Sequence, residues 1–205
     1  MSNALRRKTK KMEPKGFSKV ELLKMRDNAR KQSNTEAIIE DVFKNVQLIA
    51  YQILHDKYGF GQKRIIRLEA TINTYLDSIA NGELTVEHLA FYMVDKCKIN
   101  VKEEANKVPF NERFSVTTYK IDTKTKPTTG MCILGTIYDY FILLGVCLKS
   151  QFDFSPKKIL EAYEWIRYYI NTLSRYKQFD LKIEDIAECL MEEVKYCDSR
   201  FVSKR

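Results

Sequence analysis

Between Ile38 and Leu54 the apolar residues Ile38, Ile39, Val42, Phe43, Val46, Ile49, Ala50, Ile53 and Leu54 return every three or four positions, the spacing of one helix face. The same period recurs at Ile65, Leu68, Ile72, Leu76 and Ile79, and again at Ile159, Tyr163, Ile166, Ile170 and Leu173. Only 7 Gly and 4 Pro in 205 residues leave little punctuation for the closely spaced turns of a sandwich or barrel. The pattern predicts an all-α fold, and 44% apolar residues suffice for a core.

Taken in order, the spacing predicts helices over 35–58, 62–80 and 85–98, then over 131–150, 156–176 and 183–197. Asn81-Gly82 closes the second helix and Thr85 caps the third. "SKVE" at Ser18 to Glu21 reads as a capping box for a shorter helix starting at about 18. The helical period is lost over 100–130, where "RFSVTTYKID" allows a short hairpin and "TKTKPTTG" reads as a loop.

The two helix sets share more than their order. "YGFGQKRI" at 58–65 aligns with "FDFSPKKI" at 152–159 at an offset of 94, and "LTVEHLA" at 84–90 with "LKIEDIA" at 181–187 at an offset of 97. An internal duplication is expected, giving similar three-helix units at 34–99 and 131–198, a linker at 100–130, an arm at 1–33 and a tail at 199–205. Gly61 then matches Ser155, a helix cap, and Gln62 matches Pro156, suited to a first helical position. That pairing explains the glycines of "YGFG" as turn residues. It leaves unexplained the cations Lys63, Arg64, Lys157 and Lys158, which stand where the helix dipole disfavours positive charge and where an anion would be welcome.

The segment "LHDKYGFGQKRIIRL", continuing to "LTVEHL", resembles small, largely uncharacterised proteins of phages and prophages of Gram-positive bacteria. The resemblance covers residues 36–99 at most and implies a phage setting, hence a bacterial host cell, with no activity, ligand or catalytic residue attached.

Charge is distributed unevenly. Residues 1–32 hold eleven Lys or Arg against three acids, whereas 33–205 hold twenty-four of each, so the whole formal charge of +8 sits in the arm. Arg6, Arg7, Lys8, Lys10, Lys11 and Lys15 form a tail, continued by Lys19, Lys24, Arg26, Arg30 and Lys31 along the first helix. Such an arm suits phosphate backbones with little sequence choice, although a solvated tail has the same composition. The third helix of each set is acidic and is not expected to enter a DNA groove.

No nucleophile elbow, phosphate loop or H-E-x-x-H is present, and catalysis, cofactors and metals are not expected. His55 and His88 fall on different helices, and neighbours such as Glu103-Glu104 or Glu192-Glu193 point about 100° apart on a helix. The five cysteines, Cys97, Cys132, Cys147, Cys189 and Cys197, form no C-x-x-C pair and read as free thiols. The basic N-terminus lacks the apolar stretch of a secretory signal. The longest apolar run, Thr136 to Leu148, contains Asp139 and is too short to cross a bilayer, so a soluble cytoplasmic protein is expected.

Two functions compete on these observations. One, the leading reading, is nucleic-acid binding largely through the arm at 1–32, with the two basic helix starts as secondary contacts. The other is a protein-binding module, an inhibitor of a host protein or a self-associating chain, using the aromatic residues Trp165, Tyr168, Tyr169 and Tyr176 that fall off the apolar face of 156–176.

Overall fold

A computed structural model describes the backbone of residues 19–176 and 181–202 and the side chains of 34–176 and 181–201. Every regular element described is helical. They are α1 (Lys19–Tyr58), α2 (Gln62–Ala80), α3 (Val86–Cys97), α4 (Val101–Asn106), a 3-10 turn (Arg113–Val116), α5 (Lys126–Phe152), α6 (Pro156–Tyr176), α7 (Ile183–Val194) and α8 (Ser199–Val202). The chain divides into two compact units, Met1–Glu36 and Ala37–Arg205.

The first correction concerns α1. The sequence suggested separate helices before and after about 33, but neither Gly nor Pro interrupts 19–58, and the helix runs unbroken through 40 residues. The Ser18–Glu21 capping box lies outside the described side chains. Within the second unit, Val42, Val46, Ile49, Tyr51, Ile53 and Leu54 of α1 are fully buried.

The second correction concerns 100–130. No strand occurs there or elsewhere among the described residues: the 3-10 turn opens the stretch where a hairpin was allowed, and α4 forms ahead of it. Asn100 caps α4 by accepting the Glu103 N–H at 3.4 Å, and Val101, Ala105 and Val108 are buried on one stripe. The buried Arg113 donates to the carbonyls of Val108 (3.2 Å) and Gly130 (3.4 Å), and the Asn45 amide donates to the Val116 carbonyl at 3.1 Å. Side-chain and backbone bonds of this kind tie the segment to the core.

α5 begins at Lys126, earlier than expected, because Pro127 lies in its first turn, where a missing N–H costs nothing. With 27 residues it is long and apolar enough to cross a bilayer by length and composition, which the shorter run in the sequence was not. Its most apolar stretch is 67% buried within the protein, the mark of a central helix. Packed around it are α2, α3, α4, α6 and the 3-10 turn. At Gly145 the neighbours come closest: a β-carbon there would collide with the Tyr163 hydroxyl and the Met93 methyl. Tyr163 in turn donates to the Phe141 carbonyl at 2.5 Å and stacks on the Phe141 ring.

Around this centre the amphipathic helices bury the predicted stripes: Ile65, Leu68 and Ile72 from α2, and Ile159, Ala162, Tyr163, Ile166, Ile170 and Leu173 from α6. Thr85 accepts the His88 N–H at 3.3 Å, capping α3. α7 stops at Val194, short of the expected 197, because Lys195 adopts a left-handed conformation, and the 199–205 tail carries α8. All five cysteines are free thiols.

Candidate nucleic-acid interface

Two helix-to-helix turns meet in the second unit. α1 ends on Gly59 at φ 64°, with the N–H of Gly59 and of Phe60 donating to the carbonyls of His55 and Leu54, each at 3.0 Å. α5 ends in the same way on Asp153 at φ 49°, with the Phe154 N–H reaching the Leu148 carbonyl at 3.0 Å. Both are left-handed helix stops that satisfy the last carbonyls. Two residues after these stops Gly61 and Ser155 open α2 and α6, with Ser155 Oγ accepting the Lys158 N–H at 3.4 Å and no side chain capping at Gly61.

The turns are joined through their aromatic rings. Tyr58 packs on Phe154 at 5.1 Å, Phe60 on Phe152 at 4.8 Å, and Phe60 meets Phe154 edge-on at 6.0 Å. Exchanging one turn for the other maps each of these ring pairs onto its counterpart. Cations stand over the rings in the same paired manner: Arg64 lies 5.6 Å from Phe60 and Lys158 lies 5.7 Å from Phe154. Arg67 stands over Phe152 at 5.5 Å and donates to Gln151 at 2.8 Å. The position matching Arg67 is Glu161, which, with burial the larger cause, pushes the Tyr58 phenol up to about 12.

Phe60, Arg64, Arg67, Gln151, Phe152 and Asp153 line an open groove of about 480 Å³ at this junction. Neither α2 nor α6 has an acidic residue in its first turn, so no carboxylate competes there for the free N–H groups. An anionic ligand in this groove would meet the guanidinium groups of Arg64 and Arg67 held over aromatic faces, beside the Asp153 carboxylate, a chemistry compatible with phosphates and stacked bases.

Of the residues singled out in the sequence, Lys63, Arg64, Lys157 and Lys158 are exposed on these two helix starts. Arg67 joins them and was missed, although its place one turn after Arg64 was available as a signal. Arg6, Arg7, Lys8, Lys10, Lys11 and Lys15 lie outside the described residues, and the side chains of Lys19, Lys24, Arg26, Arg30 and Lys31 lie outside those described.

The aromatic residues of α6 divide. Trp165 and Tyr169 are half-buried against the core, Trp165 beneath the Lys57 ammonium at 3.9 Å and Tyr169 donating to Asp56 at 3.0 Å. Tyr168 remains 58% exposed and Tyr176 50%. His88 lies exposed on α3. His55 and Glu193, from different helices, come within 3.6 Å of each other, a convergence that the spacing of neither helix could show. The chain matches no family model, no curated protein and no solved structure.

Proposed function

We propose that this chain is a non-enzymatic nucleic-acid-binding protein of the phage or prophage type that the segment 36–99 resembles, acting in the cytoplasm of a bacterial host. The observation that carries the reading is the junction of two basic helix starts, where Arg64, Arg67 and Lys158 gather over one aromatic cluster. The arm at 1–32 supplies further positive charge by sequence alone. Contacts of this type engage backbones with little base selectivity, which the proposal extends to both duplex and single strands.

The same reading takes the helix sets as copies of one unit. Left-handed residues stand at 59 and 153 and at 98 and 195, and the bonds Phe60 N–H to Leu54 and Ile99 N–H to Met93 have counterparts from Phe154 to Leu148 and Tyr196 to Leu190. These are the offsets of 94 and 97 found in the sequence.

Fluorescence anisotropy of the full chain on labelled duplex and single-stranded DNA across a salt series tests the function. Reversing Lys63, Arg64, Lys157 and Lys158 to Glu should flatten the slope of log affinity against log salt by about 3 to 4, close to one for each phosphate no longer neutralised. Absence of binding by the full chain at low salt sinks the proposal. The competing reading then gains: exposed Tyr168, edge-on to Trp165 at 5.6 Å, favours a host-protein or self-association surface.

A further inference from the structure

Where α1 and α7 end, His55, Asp56 and Glu193 bring one imidazole nitrogen and two carboxylates within 4.8 Å of one another. The His55 ring is fixed by its other nitrogen: Nδ1 lies 3.0 Å from the Phe60 carbonyl, which can only accept, so Nδ1 carries a proton and donates. In the neutral ring Nε2 therefore turns its lone pair toward Glu193 Oε2, 3.6 Å away. Two such acceptors share that space comfortably only around a proton or a cation.

The surroundings supply too little positive charge. Among the described residues the ion pair seen at these carboxylates is that of Glu193 with His55. Lys57, next in sequence to Asp56, sets its ammonium over Trp165 instead, and Lys195 donates to the Glu192 carbonyl. α7 has no basic residue in its last turn, and the C-terminal ends of both helices add negative potential.

An independent observation comes from Gln52. Its side chain is only 7% exposed, and its amide nitrogen donates to Asp56 at 2.9 Å and to Glu193 at 3.4 Å, whereas its oxygen Oε1 is buried with no hydrogen-bond partner. A half-turn about the terminal bond of the side chain exchanges the two atoms and aims Oε1 between the carboxylates. A buried amide oxygen without a donor, one rotation away from two carboxylates and an imidazole lone pair, matches the donor set of a hard to borderline metal ion.

We propose that His55 Nε2, Asp56, Glu193 and the turned Gln52 Oε1 bind one first-row divalent cation of the Zn²⁺ or Mn²⁺ type. The metal–ligand distances such ions need, about 2.0–2.2 Å, draw the donor atoms inward by about an ångström, a movement open to the exposed Asp56 and Glu193 side chains. The Phe60 carbonyl behind His55 and the Tyr169 hydroxyl on Asp56 orient the ligands from outside.

The test is titration of the full chain with Mn²⁺ followed by electron paramagnetic resonance, with the Zn²⁺ dependence of Tm alongside. Mn²⁺ avoids interference from the exposed Cys189 thiol. One Mn²⁺ per chain should bind saturably, with affinity lowered at least about ten-fold in Glu193→Gln and His55→Ala and raised in Gln52→Glu, which supplies a third carboxylate. Zn²⁺ should raise Tm of the wild type and not of Glu193→Gln. Circular dichroism establishes that the variants fold, and the gain expected of Gln52→Glu cannot arise from misfolding. Failure of both ions to bind saturably, or uptake unchanged by Glu193→Gln, overturns the proposal.

Discussion

Asp139 is the one acid within the apolar run of α5, half-buried there, and burial first with Glu87 second pushes its carboxyl up to about 6. The folded chain thus holds this proton more tightly than the unfolded chain, whose aspartate titrates near 3.8. The contribution of the group to stability is greatest below about pH 4 and falls as pH rises toward 6 and beyond. Asp139→Asn should therefore stabilise the protein by about 1–2 kcal/mol at pH 8, after allowance for solvent screening, with the gain vanishing below pH 4. Thermal melts of both proteins across pH check this. The carboxylate inside the run was visible in the sequence, but its neighbour Glu87, on another helix, was not. Gln52 shows the same limit: it reads as an ordinary polar residue of α1, and only the arrival of Glu193 from α7 gives it a chemical meaning.

At the scale of elements, helices with a single apolar face were legible because burial on one side imposes a period of 3.6 residues, and the stripes of α2 and α6 fell where expected. α4 was not legible, since one and a half turns give too few repeats to establish a period, and β-branched Val and Thr nearby resembled a strand. α5 was legible as a helix, but its packing was not: the need for Gly145 arises from Tyr163 and Met93, which approach from α6 and α3. Gly145→Ala should lower stability by about 1–2 kcal/mol, overpacking outweighing the better helix propensity of alanine. The midpoint of denaturant unfolding, with an unchanged slope, measures it.

On the scale of the whole second unit, the helix sets at 37–99 and 131–198 share one core. α5 packs on α2 and α3 as well as on α6, Gln52 of α1 reaches Glu193 of α7, and Tyr196 donates to Glu69 of α2 at 2.8 Å. Residues 37–99 and 131–198 expressed alone should show no cooperative melting, and mixing them should restore helical circular dichroism. Cooperative unfolding of either piece by itself would show the packing between the sets to be dispensable. The paired turns carry a consequence for ancestry under the proposed duplication. Ring pairs that interchange when two copies are swapped, Tyr58 on Phe154 and Phe152 on Phe60, are those a single ancestral unit would have made with a second molecule of itself. Fusion of such units into one chain would have replaced a concentration-dependent encounter with a tethered one, at an effective concentration in the millimolar range. Under that duplication one copy would keep Arg67 while the other carries Glu161 at the corresponding position, so that the flank of Lys157 and Lys158 is less basic than the flank of Lys63, Arg64 and Arg67.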